Sequence, residues 1–220
     1  MEHFGVRVMK RKYELKLVRE EYAIISNKNS FGVKFSQDIY TDDTGKFYKD
    51  EWCQKHYKEC MENYDLNMEY FKRLDKEEFN RHVNRFLKGH KNFKEVTDLK
   101  LYDGESGYYI MVLDEYKQLY VGTTDNIKRR IQQHWSKRKP FDRLLLPMGA
   151  VNTSIMSIDS FRALDTTRIY ASITNSTYKN EDRYINWFKP EFVCNRIFGG
   201  ILEDGLIQAI STLKNRQLDK

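Results

Sequence analysis

Six residues in the second half of this 220-residue chain have side chains suited to work on a phosphate group: Tyr109, Tyr120, Arg130, His134, Glu181 and Asn195. Arginine offers a planar fork of donors to phosphate oxygens. Histidine, four residues further on, titrates near neutral pH and can move a proton. A carboxylate such as Glu181 can hold a hard divalent cation that keeps several of its waters. Between Thr123 and Arg143 stand seven cations (Lys128, Arg129, Arg130, Lys137, Arg138, Lys139 and Arg143) against Asp125 and Asp142. That block carries nearly all of the chain's net charge of +6. It is the electrostatic footprint of phosphate binding, although the plainer reading of such a run is a solvated face. Each of the six residues also has a plain reading when taken singly. The tyrosines could be ordinary sheet aromatics, Arg130 and His134 surface residues of a helix, and Asn195 a loop cap. Glu181 could be a first-turn carboxylate favoured by its helix dipole.

The elements that must position these residues are legible around them. Gly107 to Leu113 and Gln118 to Gly122 are two β-prone runs separated by the polar turn Asp114-Glu115-Tyr116-Lys117, which predicts a hairpin. On adjacent hairpin strands two tyrosines can present their hydroxyls on one face. Thr123-Thr124-Asp125 supplies cap residues for a helix running to about Ser136. Its buried face is marked by Ile127, Ile131 and Trp135, and Arg130 and His134 form a neighbouring stripe. Thr167 to Ile173 predicts a third strand. A helix from about Lys179 to Phe188 follows it and stops at Lys189-Pro190. The fold class expected is α+β, a small mixed β-sheet flanked by helices, with an N-terminal α/β extension.

The full ordered set resembles the GIY-YIG nuclease family. Gly107-Tyr108-Tyr109 stands where that family has Gly-Ile-Tyr, and Tyr120-Val121-Gly122 stands where it has Tyr-Ile-Gly. Arg130 and His134 follow on the next helix, Glu181 sits in Glu-Asp-Arg-Tyr-Ile, and Asn195 follows Pro190. Tyr108 and Val121 replace the family's isoleucines, and both are β-formers. A further basic or imidazole residue found after the first helix in some relatives has no clear counterpart here; Lys139 and Arg143 are the candidates. The resemblance implies a nuclease domain over residues 107 to 197 that hydrolyses phosphodiesters. Tyr109 would take the attacking water's proton, assisted by His134, because a phenol is a poor base near neutral pH. Tyr120 would orient water or phosphate, Arg130 would grip the phosphoryl group, and Glu181 would bind Mg²⁺ or Mn²⁺. One carboxylate at a matched position implies a single-metal mechanism, with Asp159 and Asp165 as carboxylates that could complicate it. Lys128, Arg129, Lys137, Arg138, Lys139 and Arg143 are the expected DNA contacts.

The rest of the chain bounds the reading. Hydrophobic content of 40% supports a packed core and argues against wholesale disorder. No apolar run approaches the roughly 18 residues of a membrane span, and no leader pattern opens the chain. A cytoplasmic protein is therefore expected. Cys53, His56 and Cys60 fall short of the four ligands zinc usually takes, so buried, reduced cysteines are expected. Alternation at Tyr13, Leu15, Leu17 and at Phe31, Val33, Phe35 predicts short strands, and helix is predicted from Lys49 to about Lys94. The turn Asp103-Gly104-Glu105-Ser106 marks a boundary. It divides residues 1–98, which would hold or read DNA, from a nuclease domain at 99–200 and a C-terminal helix at 201–220. A compact DNA endonuclease of restriction, phage-defence or mobile-element type is the expected function, with a homodimer serving double-strand cleavage. A structure-selective or single-strand nuclease, and a silent nucleic-acid-binding protein of the same fold, are the alternatives.

Overall fold

A computed structural model describes residues 1–10, 14–32, 37–145, 149–175 and 179–196. The chain opens with a two-strand ribbon, β1 (Glu2–His3) and β2 (Val6–Arg7), turned at Phe4 and Gly5. Both turn residues have positive φ, the backbone a tight antiparallel turn demands. Four helices follow: α1 (Arg19–Tyr22), α2 (Gln37–Tyr40), α3 (Asp50–Arg73) and α4 (Lys76–Gly89). Asp75 separates the last two by capping α4, its carboxylate accepting from the Glu78 amide at 2.6 Å. The remaining elements are β3 (Lys94–Glu95), β4 (Gly107–Leu113), β5 (Gln118–Thr124), α5 (Ile127–Ser136), β6 (Arg168–Ile173) and α6 (Glu181–Ile185).

Strands β3, β6, β4 and β5 form one sheet in that order, and every ladder is antiparallel. The parallel component is an isolated bridge from Leu119 to Val193 at the β5 edge. Strand alternation sorts the core into two faces. Tyr109, Met111, Ile169 and Ala171 point to one side, where Ile127, Ile131 and Trp135 of α5 join Cys60 and Phe71 of α3 and Val6, Leu17 and Tyr22 from the start of the chain. Tyr108, Ile110, Val112, Leu119, Val121 and Tyr170 point to the other. There they meet Phe79, Val83 and Phe86 of α4 and Tyr184 and Ile185 of α6. The fold is α+β, and the N-terminal segment covers both faces of the four-stranded sheet. Among the described residues no helix is long and apolar enough to cross a membrane.

Several local expectations change. The apolar positions Leu15 and Leu17 are not in a strand. The Leu17 amide bonds the Asp165 carboxylate at 2.9 Å, so its burial comes from a side-chain partner and not from a ladder. Tyr13, Val33 and Phe35 lie outside the described residues, as does the expected helix at 201–220. Lys94 and Glu95 pair with Ala171 and Tyr170 as a sheet edge, although the helix was expected to continue to about Lys94. The cap of α5 is Asn126, whose side chain accepts from the Arg129 amide at 2.9 Å. Helix α6 is five residues long, shorter than the span predicted for it.

Candidate active site

The site is built where β4 and β5 pass under α5. Tyr109 is paired across the ladder with Gly122, and Tyr120 with Met111, so both phenols lie on one face as diagonal neighbours. Their ring centroids are 6.1 Å apart. Gly122 has a definite reason to be glycine. A Cβ there would fall 2.4 Å from Cζ and the hydroxyl of Tyr109, so only a bare backbone lets the phenol lie across β5. Gly107 is equally constrained, since a Cβ would fall 2.1 Å from the Ser172 carbonyl of β6.

Helix α5 delivers the basic partners. Ile127 and Ile131 are fully buried, and that anchoring turns His134 inward to 2% exposure. The Tyr109 hydroxyl lies 2.8 Å from Nε2 of His134, and the edge of the Tyr120 ring meets the imidazole at 5.0 Å between centroids. Nδ1 of His134 lies 2.6 Å from Oδ1 of Asp159, in a short 3₁₀ turn at Ile158–Ser160. Arg130, half-buried one turn before His134, interacts with the Tyr109 hydroxyl. Burial drives the Tyr109 pKa well above that of a free phenol. Tyr120 adds to this, and Arg130 opposes it. Tyr120 is pushed up by burial and then by Glu181. Burial lowers His134, with Asp159 pulling the other way. For Asp159, burial is outweighed by the His134 hydrogen bond and the charges of Lys139 and Arg130, and its pKa falls. Both directions describe a neutral imidazole beside an ionised carboxylate.

Glu181 opens α6 and faces this cluster across the end of β5, close enough to act on both tyrosines. Its side chain is 7% exposed, and among the described residues nothing donates a hydrogen bond to it. Burial, then the neighbouring Asp182, raises its pKa to about 7, while Arg130 opposes the shift. A buried carboxylate to which no described residue donates suits a hard cation that supplies its own water shell. Among the described residues no three His, Cys, Asp or Glu gather as a metal site.

The other predicted residues are placed differently. Asn195 bonds the backbone of one residue twice, its Oδ1 accepting from the Val121 amide at 3.0 Å and its Nδ2 donating to the Val121 carbonyl at 2.7 Å. With the Leu119 to Val193 bridge, this clamps the chain after α6 along β5. The cationic run does not form one open stripe. Lys128 pairs with Asp103 and Arg129 with Asp125. Arg138 donates to the Glu21 carbonyl, and Arg143 donates to the Ser30 carbonyl while lying over the Phe31 ring. Lys137 is exposed. Lys139 sits near Asp159, and burial followed by the Arg196 charge lowers its pKa to about 8. Of the two spare carboxylates, Asp165 is consumed by the amides of Leu17 and Arg162 and the hydroxyl of Tyr116. Asp159 is the one that reaches the cluster.

Two residues here escaped the sequence. Asp159 was visible there only as a carboxylate between the motifs. Arg196, beside Asn195, had no signal at all, yet its buried guanidinium donates to the carbonyls of Arg143, Leu144 and Ile155. It ties the segment after α5 to the segment before Asp159. The buried Cys53 and Cys60 are free thiols, and His56 stacks on Trp52 and bonds the Phe141 carbonyl. Residues 105–195 match the family model described as the GIY-YIG catalytic domain. No curated protein and no solved structure matches the chain.

Proposed function

Residues 105–195 match the GIY-YIG catalytic domain, and from that premise we propose that the chain is a metal-dependent endonuclease hydrolysing DNA phosphodiester bonds. One observation carries the reading: a phenol hydroxyl held 2.8 Å from Nε2 of a buried histidine, with a guanidinium beside it and, opposite, a buried carboxylate to which no described residue donates.

Hydrolysis needs an in-line water, charge stabilisation at the phosphoryl oxygens and a protonated leaving oxygen. Arg130 donates to the phosphoryl oxygens, and its half-burial strengthens that charge-assisted bond. Tyr109 removes a proton from the attacking water while passing its own to His134. The raised pKa of the phenol requires this coupling, because a free tyrosinate is scarce near neutral pH. Tyr120 holds the imidazole edge and one side of the phosphate. Mg²⁺ bound at Glu181 would neutralise charge building on the phosphoryl group. Asn195 acts on the fold of the site, holding β5 in register.

Residues 1–98 are assigned to holding DNA. Arg7 supports this, lining an open groove with Arg129, Gln132 and Gln133 on the outer face of α5. Restriction or phage defence is the proposed setting. The test is cleavage of supercoiled plasmid and unmodified phage DNA with Mg²⁺ or Mn²⁺, against a chelator and Glu181→Ala. Metal-dependent cutting lost in the variant supports the reading, and discrete fragments support the restriction setting. No cleavage with either metal refutes the nuclease assignment, equal cleavage by Glu181→Ala refutes the metal-holding role of Glu181, and a featureless smear refutes the restriction setting.

A further inference from the structure

We propose that Asp159 is a positioning residue of the proton transfer, fixing His134 in its Nδ1–H tautomer so that Nε2 is left bare to accept the Tyr109 proton. The proposal rests on the nuclease reading above for its catalytic meaning, and on geometry for its structural content.

A neutral imidazole has one donor nitrogen and one acceptor nitrogen, and the partner of one fixes the state of the other. Asp159 stands 2.6 Å from Nδ1, and the Tyr109 hydroxyl 2.8 Å from Nε2. An ionised carboxylate can only accept, so Nδ1 must carry the hydrogen. Nε2 must then accept, and the phenol must donate. The reverse tautomer would set the Nδ1 lone pair against a carboxylate in a site where the imidazole is 2% exposed. Asp159 favours a charged imidazolium, but burial outweighs it, Arg130 and Lys137 oppose it, and the His134 pKa falls.

Asp159 is itself held in place. Its turn is closed by the Ser160 amide on the Ser157 carbonyl at 2.8 Å, and the Arg162 guanidinium donates to the Asp159 carbonyl at 3.0 Å. The flanking Ile158 and Ser160 are buried. Lys139, Arg130 and Arg196 face the carboxylate and keep it ionised. Its side chain remains 23% exposed, and Oδ1 is the oxygen that serves the imidazole.

The transfer balances. As the water oxygen bonds phosphorus, its proton passes to the Tyr109 oxygen and the Tyr109 proton passes to Nε2. The bond from phosphorus to the leaving oxygen breaks, and that oxygen takes a proton from solvent. His134 is then an imidazolium compensated by Asp159, and it releases its extra proton to water before the next turnover.

The experiment is ¹⁵N-histidine spectroscopy of the full chain at a pH of about 8, above the titration of an ordinary histidine, with and without Asp159→Asn and Asp159→Ala. The wild-type His134 should show a protonated Nδ1 and a bare Nε2, and both variants should move population toward the Nε2–H form. Single-turnover cleavage at saturating enzyme should slow roughly 10- to 100-fold in each variant, as for partners that orient a functional histidine, with DNA affinity unchanged. A wild-type His134 protonated on Nε2 overturns the proposal without any variant being needed. A variant that keeps the wild-type tautomer, or that cleaves at the wild-type rate, overturns it too. A wild-type protein that cuts no DNA refutes the nuclease reading instead, while the spectra still decide the tautomer.

Discussion

Tyr108 and Tyr109 are neighbours in β4, both almost wholly buried, and they face opposite sides of the sheet. Tyr108 points to the face covered by α4 and α6, packs against the Tyr184 ring at 5.0 Å between centroids, and accepts a hydrogen bond from the Asn180 amide at 3.1 Å. Its hydroxyl meets backbone at the head of a short helix. Tyr109 points to the face covered by α5, where its hydroxyl meets His134, Arg130 and the field of Glu181. The residue type, strand and degree of burial are the same. In the proposed mechanism, what separates a structural phenol from a reactive one is whether its hydroxyl meets a fixed backbone group or groups that can change charge.

The comparison can be broken most severely at Glu181. Glu181→Ala should abolish cleavage while DNA binding in a filter or anisotropy assay is largely kept, because the variant removes the cation's ligand and leaves the basic surface. Cutting at near wild-type rate in Mg²⁺ would contradict the assignment. Arg130→Ala comes next. It should cripple the single-turnover rate at saturating DNA, whereas Lys137→Ala should only weaken binding and lower the salt slope of log K by about one unit or less. Equal catalytic defects in both would erase the distinction between a cation on the reacting phosphate and one on the backbone around it.

The next effect is on stability. The folded pKa of Glu181, about 7, stands above its ordinary 4.5. Its contribution to stability is therefore present below pH 4.5 and lost as pH rises through about 7. Metal-free wild type should lose stability across that window, by up to an order of 3 kcal/mol. Glu181→Gln should flatten the loss, raising the melting temperature at alkaline pH. Saturating Mg²⁺ should restore stability to wild type and not to the variant. A melting temperature independent of both pH and substitution would show that the carboxylate is not buried as described. The smallest effect belongs to Tyr108→Phe, which should cost roughly 1 kcal/mol for one lost hydrogen bond and leave the cleavage rate unchanged.

The parts of this site set by local pattern could be read from sequence. The hairpin was legible because two β-prone runs flank a polar turn whose length fixes the register that puts Tyr109 against Gly122. Helix α5 was legible from Ile127, Ile131 and Trp135, and the side on which His134 lies follows from them. Partners chosen by tertiary contact were not legible. Asp159 reaches His134 across 25 residues with no periodic pattern between them. The cations of 128–143 look alike in sequence, yet carbonyls of Glu21 and Ser30 take up Arg138 and Arg143 from the far end of the chain. Leu15 and Leu17 show the same limit from the apolar side, since alternation reports burial and says nothing of which group completes the backbone. Asn195 fits its motif by position, but its carboxamide is committed to Val121.

The central claim, that one of two adjacent buried tyrosines is chemical and the other structural, is tested most directly by single-turnover cleavage of Tyr109→Phe and Tyr108→Phe at saturating enzyme, with thermal melts of both. The account predicts a rate loss of roughly 10²–10⁴-fold for Tyr109→Phe with little change in melting temperature. For Tyr108→Phe it predicts a lowered melting temperature with the rate retained. Full activity in Tyr109→Phe, or a collapse of its melting temperature with no separate kinetic defect, would contradict it.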